Sequence, residues 1–117
     1  MEFDIEVLLK GRDGVVVKSV THEADKASSW TDDDVRDILT LTLLQFDKVQ
    51  NPNAEERVVS LKGLSWIVTP VDGGVAIAIE IQTGAVVAGP FAVEEDQLTQ
   101  TIGRVIAHSS GSSSQVH

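Results

Sequence analysis

Leu64 to Phe91 reads LSWIVTPVDGGVAIAIEIQTGAVVAGPF, the longest apolar run in a chain of 117 residues. Pro70, the Asp72-Gly73-Gly74 turn and Thr83-Gly84 cut it into pieces of strand length. From Val75 to Ile81 the branched residues Val75, Ile77, Ile79 and Ile81 alternate with Ala76, Ala78 and Glu80. A period of two sends the large side chains to one side of a strand and the small ones, with a carboxylate, to the other. This run is a sheet centre, and the rest of the chain is read as its cover.

Working outward, Ser65 to Val71 is expected as one strand, turned by Asp72-Gly73-Gly74 into Val75–Gln82. Thr83-Gly84 leads to Ala85–Gly89, and Gly89-Pro90 is expected to end the sheet because proline has no N–H to give to a ladder. Upstream, Arg57 to Leu61 reads as a strand that a bulge at Gly63 bends into the next. At the N-terminus Phe3, Ile5, Val7 and Leu9 alternate with charged residues, and Val15 to Val20 is a second strand. A three-residue loop with Gly14 left-handed would pair Leu9 with Val17, keep Val15 and Val17 on the apolar side and turn Lys18 outward. The two-residue loop at Asp13-Gly14 would instead place Val16, Lys18 and Val20 beside Phe3, Ile5 and Val7; the first register is expected.

Thr31 announces a helix. It is an N-cap at capping-box spacing from Asp34, Trp30 and Val35 occupy staple positions, and Asp32, Asp33 and Asp34 meet the positive end of the helix dipole. Val35, Ile38, Leu39, Thr42, Leu43, Phe46 and Val49 fall within an arc of about 140°. Leu41 and Leu44 lie off that arc and are candidates for contact with another chain. Glu94, Glu95 and Asp96 open a second helix, striped by Leu98, Thr101, Ile102, Val105 and Ile106, with Gly103 on its opposite side. The expectation is one α+β domain over residues 1–108: a five-stranded antiparallel sheet with both helices on one face, in the order β-β-α-β-β-β-α. Residues 109–117 are Ser/Gly-rich and read as a disordered tail.

Composition narrows function. A net charge of −9 repels phosphate backbones and anionic lipid, so neither nucleic acid nor membrane is an expected partner. The order α-β-β-β-α over residues 31–108 is also that of double-stranded-RNA-binding domains. Those domains grip phosphates with lysines where this chain has Glu94, Glu95 and Asp96. The chain has no cysteine, which removes disulfides and thiolate chemistry, and nothing in it resembles a secretory signal or membrane span. A cytoplasmic location is the default expectation.

No cofactor, metal or catalytic signature emerges. His22, Glu23 and Asp25 lie near Ser28 and Ser29, but a polar loop lacks the burial that tunes a catalytic pKa, and their spacing matches no zinc pattern. Asp32-Asp33-Asp34 lacks the glycine and glutamate of a calcium loop, and capping accounts for it. Gly73-Gly74 is followed by a strand and no lysine, so it is a turn and not a phosphate cradle.

The expected function is a non-enzymatic, acidic interaction or assembly module, a homodimer that binds a protein partner, a basic one by charge. Its surface candidates are Leu41, Leu44, Asp32, Asp33, Asp37, Glu94, Glu95 and Asp96, together with a semi-apolar outer sheet face showing some of Trp66, Val68, Val86, Ala76 and Ala78. The competing reading is a small-molecule binder or minimal enzyme, its pocket between sheet and helices walled by Trp30 and Trp66 and lined by His22, Thr69 and Glu80.

Overall fold

The computed structural model describes residues 2–11, 14–22, 30–52 and 65–114, with side chains described as far as residue 108. Five strands, β1 (Glu2–Leu9), β2 (Val16–Thr21), β3 (Ser65–Val71), β4 (Gly74–Ile81) and β5 (Gly84–Phe91), form one sheet. Its spatial order is β2-β1-β5-β4-β3, with every neighbouring pair antiparallel. Two helices, α1 (Asp32–Gln50) and α2 (Glu95–Ser114), complete the α+β fold in the expected element order. The strand expected at Arg57–Leu61 and the bulge at Gly63 lie outside the described residues.

Both helices pack on the same side of the sheet, α1 chiefly on β1 and β5, α2 on β3, and each on the other. Phe3, Ile5 and Val7 of β1, Val68 of β3, Val75, Ile77 and Ile79 of β4, and Val86, Ala88 and Phe91 of β5 supply the sheet's half of the core. Val35, Ile38, Leu39, Leu43 and Phe46 of α1 and Leu98, Ile102 and Val105 of α2 supply the other half. Thr42 is fully buried because its hydroxyl donates to the Ile38 carbonyl at 2.7 Å, one turn back in the same helix.

The start of α1 is built as the sequence spells it. Thr31 N–H donates to the Asp34 carboxylate at 2.9 Å, and Asp34 N–H donates to the Thr31 hydroxyl at 3.2 Å. This reciprocal pair satisfies N–H groups that a helix start otherwise leaves open. Trp30 and Val35, the staple residues, are both buried.

Three expectations are corrected. First, β1 and β2 pair Val7 with Val16, Ile5 with Lys18 and Phe3 with Val20, so Lys18 shares the helix-side face and Val17 points away. The register with Val15 and Val17 inward would gain only if a helix covered them. Val15 and Val17 are respectively 45% and 55% exposed, on an edge strand beyond the main footprint of α1. The end of β1 is held from the other side, where Lys10 N–H donates to the Thr83 carbonyl at 2.9 Å.

Second, the sheet does not end at Gly89-Pro90. Their peptide bond is cis, and β5 continues to Phe91 across an irregularity in which Val75 pairs with Phe91 and Ile77 with Ala88. The extra residue on β5 spares Pro90 from the ladder and delivers the Phe91 ring to the core, 5.0 Å from both Phe3 and Trp30. Third, the outer-face residues differ from those expected: Val68 and Val86 are buried and Trp66 packs against the core. Of the expected set only Ala76 and Ala78 alternate onto the outer side.

Candidate interaction surface

The side of the sheet away from the helices carries the most distinctive surface. One row crosses all five strands through paired positions: Val17, Glu6, Val87, Ala78 and Ile67. The next row toward one end holds Leu8, Ala85, Glu80 and Ser65. Ile67 is 59% exposed, and Leu8, Val17 and Val71 are also exposed. Leu8, Val17, Ile67 and Val71 are the exceptions to the strands' inward bias. Lone exposed apolar residues are ordinary; here they share one face with half-buried Val87, Ala78 and Ala85.

Charge on this face is sorted by strand. The β1 column shows Glu2, Asp4 and Glu6, all exposed, and Ser19 of β2 donates to Asp4 Oδ1 at 2.9 Å. Over β5, β4 and β3 the outward positions are mainly Ala85, Val87, Ala78, Ile67 and Val71, with Ala76 buried among them, interrupted by Glu80 and Thr69. The result is an apolar field beside an acidic ridge. Strands lie about 4.8 Å apart, so the field spans about 10 Å between β5 and β3.

Shallow depressions among the described residues open on this face. One of about 640 Å³ runs from Leu8 and Lys10 past Ala85 and Glu80 to Ser65. A second, about 330 Å³, lies between Ile67, Ala78, Ala85 and Glu80. A third, about 350 Å³, is bordered by Glu6, Val17, Val87, Asp72 and Pro90. Gly84, at the edge of the first, lets β5 approach β1 closely: a side chain there would run into the Leu8 carbonyl oxygen of the neighbouring strand.

The five residues proposed to line a pocket between sheet and helices are not brought together there. Trp30 is buried in the core, and its indole Nε1 has no hydrogen-bond partner among the described residues. His22 lies beside it with ring centroids 6.3 Å apart, and its Nε2 is 3.9 Å from Asp37 Oδ2. Trp66 is half-buried on the helix side, whereas Thr69 and Glu80 point to the outer face. Glu23, Asp25, Ser28 and Ser29 lie outside the described residues. Among the described residues no group of three or more His, Asp or Glu is placed to hold a metal ion.

The acidic surface candidates belong to the helix layer. Asp32 accepts from the Arg104 guanidinium at 2.9 and 3.3 Å, which ties the start of α1 to α2 and lowers the Asp32 pKa below the usual carboxylate value. Arg36 lies 3.3 Å from Asp33, one turn away. Asp33, Asp37, Glu94, Glu95 and Asp96 are exposed at helix starts. Leu41 packs in part against the core and Leu44 is half-buried, so neither stands fully free. Arg104 was not singled out from sequence; 72 residues separate it from Asp32, and nothing local marks such a pair.

No described helix is long and apolar enough to cross a membrane. No family model, curated protein or solved structure matches the chain.

Proposed function

We propose that the protein is a non-enzymatic interaction module, a homodimer whose outer sheet face receives a protein partner. The observation that carries this reading is the apolar field over β3, β4 and β5 lying beside the carboxylates of β1. An α-helix with its side chains is about 10–12 Å across, close to the width of that field. The partner segment that suits it carries an apolar stripe along its length and lysine or arginine along the edge that meets Glu2, Asp4 and Glu6. Burying the stripe drives association, while the opposite charges fix orientation and speed encounter.

The test uses two labelled probes, an amphipathic helical peptide of leucine and lysine and its leucine and glutamate counterpart, read by fluorescence anisotropy. Binding of the basic probe, weakened by salt and lost on Ile67→Glu or Val87→Glu in variants with unchanged circular dichroism, is the expected result. Equal binding of both probes, or none of either, refutes the reading. A thermal-shift screen against metabolites tests the competing ligand-binding function, because a bound ligand raises the midpoint by mass action.

A further inference from the structure

The sheet has two unlike rims. Among the described residues β3 forms one, and its Pro70 has no N–H to offer a neighbour. β2 forms the other, with no strand beyond it among the described residues. An edge strand of this kind presents unpaired backbone donors and acceptors, and natural proteins protect such edges with charge, proline or cover. Here the approach to β2 carries Val15, Val16 and Val17, which are 45%, 41% and 55% exposed. Val16 shares the helix-side face with buried Val7, yet it remains exposed because α1 packs chiefly over β1 and β5. One lysine, Lys18, is the only charge in the strand.

We propose that β2 pairs with β2 of a second copy of this chain, antiparallel about a two-fold axis, so that two sheets join into one of ten strands. This rests on the homodimer in the functional reading above and assigns its interface. Charge argues for the rim over stacked sheets. Strand Val16–Thr21 contains no carboxylate in a chain of net charge −9. Stacking the outer faces would bring the two Glu2, Asp4 and Glu6 columns within about 10 Å of the opposing sheet. Rim pairing separates the two β1 strands by three strand spacings, about 14 Å, which exceeds the roughly 8 Å screening length of physiological salt.

The register also follows. If the helices of both copies stay on one side, residues directly opposite must share a face, so the ladder is centred on a residue and not between two. Centring on Lys18 would set two ammonium groups opposite each other. Centring on Ser19 places Lys18 against Val20 and Val17 against Thr21 of the twin, so that Val17 to Thr21 of each copy lie within the ladder. Such pairing leaves the outer face of each copy open, so the dimer offers two partner sites side by side. A rim ladder is small against the roughly 1,200 Å² of a standard interface, so the dimer is expected to dissociate on dilution through the micromolar range.

The absence of cysteine makes the test clean. Ser19→Cys is oxidised across a dilution series and compared with Gln82→Cys, a control on the exposed β4–β5 turn, while light scattering follows the mass of the unmodified chain. Directly opposed residues in an antiparallel pair have Cα atoms about 4.5–5.5 Å apart, within disulfide range. The expected result is a mass of twice 12.6 kDa at high concentration, with Ser19→Cys trapping covalent dimer at least about ten-fold faster than Gln82→Cys. Val17→Lys, a charge added to the rim, should raise the dissociation constant about ten-fold without unfolding the subunit. A monomer throughout the series overturns both the dimer and this interface. A dimer that resists Val17→Lys and traps no faster through Ser19→Cys overturns the interface alone, and the assembly reading stands.

Discussion

Gly103→Ala should make the protein more stable. Gly103 lies inside α2 on the side away from the stripe of Leu98, Ile102 and Val105, and a methyl group built there meets nothing within 4 Å. No backbone demand holds a glycine at this position, because its φ is not in the left-handed region. The change therefore removes unfolded-state freedom and restores helix propensity with no steric penalty, a gain of about 0.8–1 kcal/mol. For a domain of this size that raises the thermal midpoint by about 3–6 °C. Urea denaturation at fixed protein concentration measures the gain directly, with an unchanged m-value as the check that only stability moved. A lower midpoint would refute the reasoning.

The other predictions concern the core, the helix start, the turns and the inter-helix ion pair. Phe91→Ala empties a site packed by Phe3 and Trp30 and should cost about 3–5 kcal/mol in chemical denaturation. Thr31→Ala breaks the capping box and should cost about 1 kcal/mol, whereas Thr31→Ser should restore most of it. Gly74→Ala should lower expression or the melting midpoint sharply, since its φ is +143° and the new methyl would run into the Phe91 carbonyl. Arg104→Met should destabilise the protein modestly near neutral pH. The Asp32 pKa is lowered by the Arg104 hydrogen bonds, so the pair's contribution is present above the ordinary carboxylate pKa and lost as acid protonates Asp32. The difference between wild type and variant should shrink in acid and in high salt; a gap that persists at low pH would show that Arg104 acts through packing.

What was legible in the sequence follows from how locally each feature is encoded. The α1 start is written within six residues, Trp30 to Val35, and every hydrogen bond it implies is present. The alternation in Val75–Ile81 and in Phe3–Val7 likewise fixes which side chains turn inward. The β1–β2 register is not legible from burial, because an edge strand beyond the principal footprint of α1 has little burial to set it. The outer-face composition is not legible in β3 and β5, where apolar residues follow one another without alternation: Trp66-Ile67-Val68 and Val86-Val87 leave the facing of each to the pairing partners. The Asp32–Arg104 link and the depressions around Glu80 exist only once distant segments meet.

Pro70 also bears on how far assembly can proceed. Filament growth by strand addition needs a receptive border at each end of every subunit, so that each newcomer recruits another. A subunit with a single receptive border is used up by its first sister. If two copies join through β2 as proposed, the pair turns outward two β3 strands, each short of the Pro70 donor, and further growth by strand addition is disfavoured.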